Sequence, residues 1–231
     1  MSCLNILSGG AAHGLVASLT TAFNAKTGFE IKGEFGAVGG MADKLRNGVA
    51  TDIVILTAAL VAKLADEKLV VPSSITDVGV VETALAVRSG DPKIAVGNAD
   101  DLRAAFVAAD AIFVPDIKSS TAGIHVAKVL AQLGIADEVA ARLKVYPNGA
   151  TAMRELAASD AQRPIGCTQS TEIISTKGVE LSGSLPKGCE LATMYTAGIT
   201  TSAAHASEAL ELIELLTSAD AREERVRAGF L

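Results

Sequence analysis

One pattern constrains this chain more than any other. Five times, a short apolar strand runs into a turn of small residues and then into a helix. The turns are Ser8-Gly9-Gly10-Ala11, Gly36-Ala37-Val38-Gly39-Gly40, Ser119-Ser120-Thr121-Ala122-Gly123, Asn148-Gly149-Ala150-Thr151 and Thr168-Gln169-Ser170-Thr171. Strands alternating with helices make an α/β fold in which parallel strands are joined by crossovers. Small residues let a ligand approach the backbone closely. Helix N-termini present free N–H groups and the positive end of the helix dipole. Several such turns converging on one cleft would hold a small anion without a salt bridge.

The hydrophobic spacing fills in the elements. A strand at 4–7 precedes a helix over 12–25, with Leu15, Leu19, Ala22 and Phe23 on one face and a stop near Gly28. Residues 29–35 alternate as a half-buried strand does. A short helix spans 40–46. The continuous apolar run 52–56 marks a strand covered on both faces, followed by a helix over 58–66. A long β run at 78–87 comes next. Helices are expected at 100–109, 122–133, 137–143, 151–158 and 172–176, with strands at 112–114, 145–146 and 165–168. A second long β run, 190–200, precedes terminal helices at 203–216 and 220–228. The two long β runs bracket an inserted lobe. Lobe one is then 1–82 plus 197–231, and lobe two is 83–196. A cleft between two such lobes, lined by turns at the carboxyl ends of strands, is where open α/β folds bind ligands.

Charge narrows the ligand chemistry. Twenty basic and 26 acidic residues give a net charge of −6, which argues against a nucleic-acid footprint. An anion would be held by local dipoles, against the global field. No stretch reaches the roughly 20 apolar residues of a membrane span, so no membrane insertion is expected. Residues 1–7 carry no basic segment or long apolar core of a signal peptide. As written the chain is expected in the cytoplasm, or in the periplasm if a leader was removed. Cys3, Cys167 and Cys189 have neither metal spacing nor a disulfide framework and are expected as buried free thiols. No His, Cys and carboxylate cluster has zinc spacing, and no phosphate-binding loop or nucleophile elbow is present. No metal and no cofactor is expected.

Phe23-Asn24-Ala25-Lys26-Thr27-Gly28, the strand Asp52-Ile53-Val54-Ile55, and Thr121-Ala122-Gly123-Ile124 with Ala127, Leu130 and Leu133-Gly134 occur in that order. Ile165-Gly166-Cys167-Thr168 and the closing Arg227-Ala228-Gly229-Phe230 complete the set. Together they resemble the periplasmic molybdate-binding protein family, the substrate-binding components of ABC importers. The resemblance implies a two-lobe type II periplasmic-binding-protein fold. Each lobe would be a mixed sheet flanked by helices, with the ligand between them. It places Gly10, Ala11, Val38, Gly39, Thr121, Ala122, Gly149 and Gln169 at the ligand. Ser8, Gly9, Lys118, Ser120, Asn148 and Thr168 complete the candidate set. An importer permease is the implied partner if the chain is exported.

The chain departs from that family at three places. The family's serines near Ala11 and Val38 and its tyrosine near Gln169 are missing. A tetrahedral oxyanion would lose those hydroxyl donors, and a small carboxylate fits the remaining neutral donors as well. The wider family includes aconitate-isomerase-like members, which implies an alternative. This would be a cofactor-independent cytoplasmic isomerase that shifts a double bond in an unsaturated di- or tricarboxylate. Such chemistry needs one base, and His13 after the first turn is the candidate; its alternative is an exposed surface histidine. Lys118 would pair with a carboxylate or stand as a solvated loop lysine. His125 lies one helical turn from the ligand, His205 at the surface, and Arg154 on a salt-bridged helix face. Glu172 would cap a helix, and Glu34 and Glu82 are exposed strand positions.

Overall fold

The structure, a computed structural model, describes residues 2–231. It comprises two compact units, the chain up to Val81 with Thr193–Leu231, and Glu82–Ala192. The apolar patterning of the two long β runs puts these crossings at 82/83 and 196/197.

In the first unit, β1 (Cys3–Gly9) pairs in parallel with β2 (Glu30–Gly36) and β3 (Ile53–Thr57), and β3 pairs antiparallel with β9 (Ala192–Ile199). The sheet order is β2-β1-β3-β9-β4, where β4 is Thr76–Arg88. Ile53, Val54, Ile55 and Leu56 are all fully buried, as a central strand covered on both faces requires. β2, at the edge, stays largely exposed. Helix α1 (His13–Thr27) buries Leu15, Val16, Leu19 and Phe23 and ends at Gly28, whose φ of 74° is the left-handed cap glycine tolerates without strain. Helices α2 (Val38–Arg46), α3 (Ala58–Asp66), α9 (Ala206–Thr217) and α10 (Arg222–Arg227) complete the unit. Asp52, buried at the start of β3, ties it together. Its Oδ2 accepts the Asn5 N–H at 2.8 Å, and its Oδ1 accepts the Ala204 and His205 N–H at 2.8 and 3.0 Å. This clip holds 203–205 off the helix, so α9 begins at Ala206 and not at 203.

In the second unit, β5 (Ala111–Pro115) pairs in parallel with β6 (Leu143–Tyr146) and β7 (Pro164–Gln169), and β7 pairs antiparallel with β4. Strand β8 (Val179–Ser184) adds to β4 with a bulge between Leu85 and Ala86. It is absent from the sequence reading because Ser182, Gly183 and Ser184 carry no strand signal. The helix expected over 137–143 is shorter: α6 spans Ala136–Val139, a single 3-10 turn follows, and Leu143 already belongs to β6. One sheet face packs α4 (Ala99–Ala108) and α5 (Thr121–Gln132) on Leu85, Ile165 and Cys167. The other packs α7 (Gly149–Ala157) on Ala84, Ala86 and Phe113. The five-residue helix α8 (Ser170–Ile174) follows β7 directly.

Candidate functional site

Each candidate turn sits at the carboxyl end of a strand, and the turns differ in whether the protein has already used their donors. In the first unit, β1 ends at Gly9 and passes through a 3-10 turn, Gly10–Ala12, into α1. Neither that turn nor α2, whose N-cap is Ala37, carries a side-chain cap. The amides of the first turn of a helix have no acceptor within the helix itself. The Ser8 hydroxyl is committed, donating to the Gly9 and Ile55 carbonyls at 2.9 and 3.2 Å. A Cβ on Gly9 would lie 2.8 Å from the Tyr195 ring and 2.9 Å from Val38. Glycine is therefore what lets Tyr195 pack over the turn. Tyr195 was not foreseen, because it comes from the far end of the chain. A Thr-Ala step after an apolar strand was the available signal for a further turn, Thr57-Ala58, where α3 also opens without a side-chain cap.

His13 is exposed at the first residue of α1, edge-on to Phe35 with ring centroids 4.7 Å apart. Phe35 pairs with Ser8 across β1 and β2. The imidazole therefore stands beside the turns after β1 and β2. His205 packs edge-on against Phe29, and Glu34 pairs with Lys44.

In the second unit the fourth turn is closed from within. The Asn148 side chain accepts the Thr151 N–H at 2.8 Å, capping α7. The buried Glu172 carboxylate takes the backbone N–H groups of Ala150, Gln169 and Gly149. It also accepts the Thr168 hydroxyl at 2.6 Å. A Cβ on Gly149 would overlap Glu172 Oε2 and Thr168 Oγ1, so this glycine makes room for an internal carboxylate. Burial pushes the Glu172 pKa up, and the Thr168 hydroxyl and the three amides oppose that shift. Asn148, Gly149 and Thr168 are thus bound up inside the unit, and the α7 terminus is already occupied by a carboxyl group of the protein's own. Glu172 caps a helix as anticipated: it takes the N–H of Gln169, the N-cap of its own helix α8, and it closes α7 through Gly149 and Ala150 as well.

The third turn is open. Helix α5 starts after Ser120 with no side-chain cap. Asp116 Oδ1 gathers the Lys118 and Ser119 N–H groups and the Ser119 hydroxyl at 2.7–2.9 Å, which shapes the loop and lowers the Asp116 pKa. The Lys118 side chain is exposed. A Cβ on Gly123 would overlap the Asp116 carbonyl oxygen and lie 2.5 Å from that of Pro115, so glycine seats the start of α5 directly on the end of β5. His125 Nε2–H donates to the Cys189 carbonyl at 2.8 Å and anchors the helix. Arg154 bonds Thr151 at 3.0 Å, not a carboxylate, and Glu82 accepts the Ser184 hydroxyl at 2.5 Å.

Gln169 ends β7, the strand paired in parallel with β5, from whose carboxyl end that open turn runs. It is 3 % exposed, and neither its Nε2 nor its Oε1 meets a hydrogen-bond partner among the described residues. The Thr83 and Thr171 hydroxyls are likewise buried without partners among them. Alternation along β7 puts Gly166 against Met153 and Leu156 of α7. Ile165, Cys167 and Gln169 therefore share the opposite face, the one packed by Val126, Val129 and Leu130 of α5. Thr83 is the direct cross-strand partner of Gln169 and shares that face.

The sequence profile of a family described as bacterial extracellular solute-binding protein matches residues 4–231. A curated relative, an aconitate isomerase from Pseudomonas sp, is 26 % identical over 232 aligned residues, covering 96 % of this chain and 84 % of that protein. The periplasmic molybdate-binding protein of Azotobacter vinelandii superposes with a TM-score of 0.81 at 18 % identity, over 99 % of this chain and 98 % of its own. The sulfate-binding protein SubI of Mycobacterium tuberculosis H37Rv gives 0.77 at 18 %, over 100 % and 86 %. The fold is that of the type II periplasmic binding proteins.

Proposed function

We propose that this chain, which belongs to the bacterial extracellular solute-binding protein family, binds a small anion, an oxyanion or a small carboxylate. The observation that carries this is the contrast between the turns. Helices α4 and α7 are closed by Asn98 and Asn148, whereas the turns after β1, β2, β3 and β5 open into helices with no side-chain cap. Uncapped amides at the carboxyl ends of parallel strands are anion donors. The contacts would come from Gly10, Ala11, Val38 and Gly39 in the first unit, and from Ser120, Thr121, Ala122 and Gln169 in the second. Lys118 would add charge at the rim. The names of the molybdate- and sulfate-binding neighbours support an anionic ligand. If the chain is exported, a permease of an ABC importer is the partner that would receive the ligand.

The aconitate isomerase relative favours a second reading on the same fold, a cofactor-independent isomerase of an unsaturated di- or tricarboxylate. In it His13, exposed beside the turns after β1 and β2, would move the proton.

A thermal-shift series with molybdate, tungstate, sulfate, phosphate, citrate and cis- and trans-aconitate tests both. A ligand at 100 times its Kd stabilises the fold by about 2.7 kcal/mol, so a true ligand raises the Tm by degrees. No shift with any of them overturns anion binding. Incubation of bound tricarboxylate in deuterated solvent then separates transport from catalysis. Isomerisation converts the cis to the trans isomer, with solvent deuterium entering wherever the base exchanges its proton, and His13→Ala abolishes conversion while sparing binding. Binding with neither conversion nor deuterium incorporation rules the isomerase out.

A further inference from the structure

The Gln169 amide says more about the ligand than its charge. We infer that the bound anion carries a hydrogen-bond donor, a hydroxyl or an acidic O–H, as well as its anionic oxygens. This rests on the proposed anion site and specifies its ligand class.

A primary amide offers two N–H donors on one atom and two acceptor lone pairs on the other. Both ends of the Gln169 amide are buried and meet no partner among the described residues. Exchanging the assigned positions of nitrogen and oxygen leaves this unchanged. Two faces of the surroundings are accounted for. Ile165 and Cys167 precede Gln169 on the apolar side of β7, and Glu172 is engaged on the other side by Thr168 and backbone amides. The face of β7 that carries Gln169 is the one α5 covers; the uncapped first turn of that helix has amides that can only donate, and the Thr83 hydroxyl across the strands and the Thr171 hydroxyl two residues on have no partner among the described residues either.

A fully ionised oxyanion or carboxylate is an acceptor only. It satisfies Nε2 and the α5 amides but sets its oxygens against the Gln169 carbonyl, which stays buried and unpaired. An anion with an O–H satisfies both ends of the amide together. Sites built to pair a substrate hydroxyl discriminate strongly against the analogue that lacks it, because the loss strands a buried polar atom. The class that fits is a hydroxycarboxylate or a hydrogenphosphate-type anion, and these share the same chemistry.

Matched pairs measured by calorimetry at neutral pH decide the matter: malate against succinate, citrate against tricarballylate, and phosphate against sulfate. The donor-bearing member of at least one pair is expected to bind ~10-fold or more tightly. The first two pairs report a hydroxycarboxylate, the third a hydrogenphosphate. Gln169→Met, which keeps volume and removes both polar ends, is expected to erase that preference. If the donor-lacking members bind as well or better, the inference falls and anion binding stands. If no anion in the set binds, the site itself is wrong. If Gln169→Met does not fold, the wild-type pairs decide alone. If it folds and keeps the preference, Gln169 is not the discriminating group and the inference falls.

Discussion

Single residues in this protein are explained by what they touch. Gly9, Gly123 and Gly149 each stand where a methyl group would strike a neighbour: the Tyr195 ring, backbone carbonyls, and the Glu172 carboxylate. Only the fact that small residues were needed there was visible in the sequence. Which neighbour required each of them was not. The cysteines behave as their burial dictates. Burial pushes the Cys167 thiol up to about 12, and it raises Cys189 as well, helped by the Glu190 charge. Thiolate is the reactive form. At about pH 8, where an ordinary thiol is partly ionised, a disulfide reagent is therefore expected to modify at most Cys3 in the native protein. Cys167 and Cys189 should react only after denaturant is added. Rapid native labelling of Cys167 would show that the second-unit core is not closed.

At the level of elements, the fourth strand-to-helix turn shows how one carboxylate changes the role of a helix. Asn148 and Glu172 between them occupy the α7 terminus, so α7 serves the fold while α5, without a cap, stays available. Burial raises the Glu172 pKa above its ordinary 4.5. The folded state then holds a proton that the unfolded chain has released. Its contribution to stability is full below the unfolded value and is lost as pH rises through the folded pKa. Glu172→Gln cannot titrate. Denaturant melts between about pH 4 and pH 8 should therefore show a fall in wild-type stability that the variant lacks. Parallel profiles for the two proteins would mean that Glu172 keeps an ordinary pKa in the fold. The existence of α7 and of its turn followed from local spacing. Its closure did not, because Glu172 lies 23 residues beyond Gly149 and belongs to the next strand-to-helix unit.

For the whole molecule, the net charge of −6 sets the long-range field an anion must cross. If the donors are amides and neutral side chains, added salt screens repulsion more than attraction. The association rate of a small anion, followed by stopped flow, is expected to rise modestly as potassium chloride increases from about 10 to 150 mM. A steep fall would point to Lys118 or another cation as the main attractor. The alternation of strands and helices and the small-residue turns were legible in the amino-acid sequence. Each of these is written in a local window, through apolar period, helix stops and backbone permissiveness. Which turns stay open is settled by long-range partners in the folded chain. Asn148, Glu172, Asp52, Tyr195 and Gln169 acquire their roles from partners distant in the chain or on neighbouring strands. A hydrogen-bond donor is free or spent only once the fold has fixed what lies within about 3 Å of it.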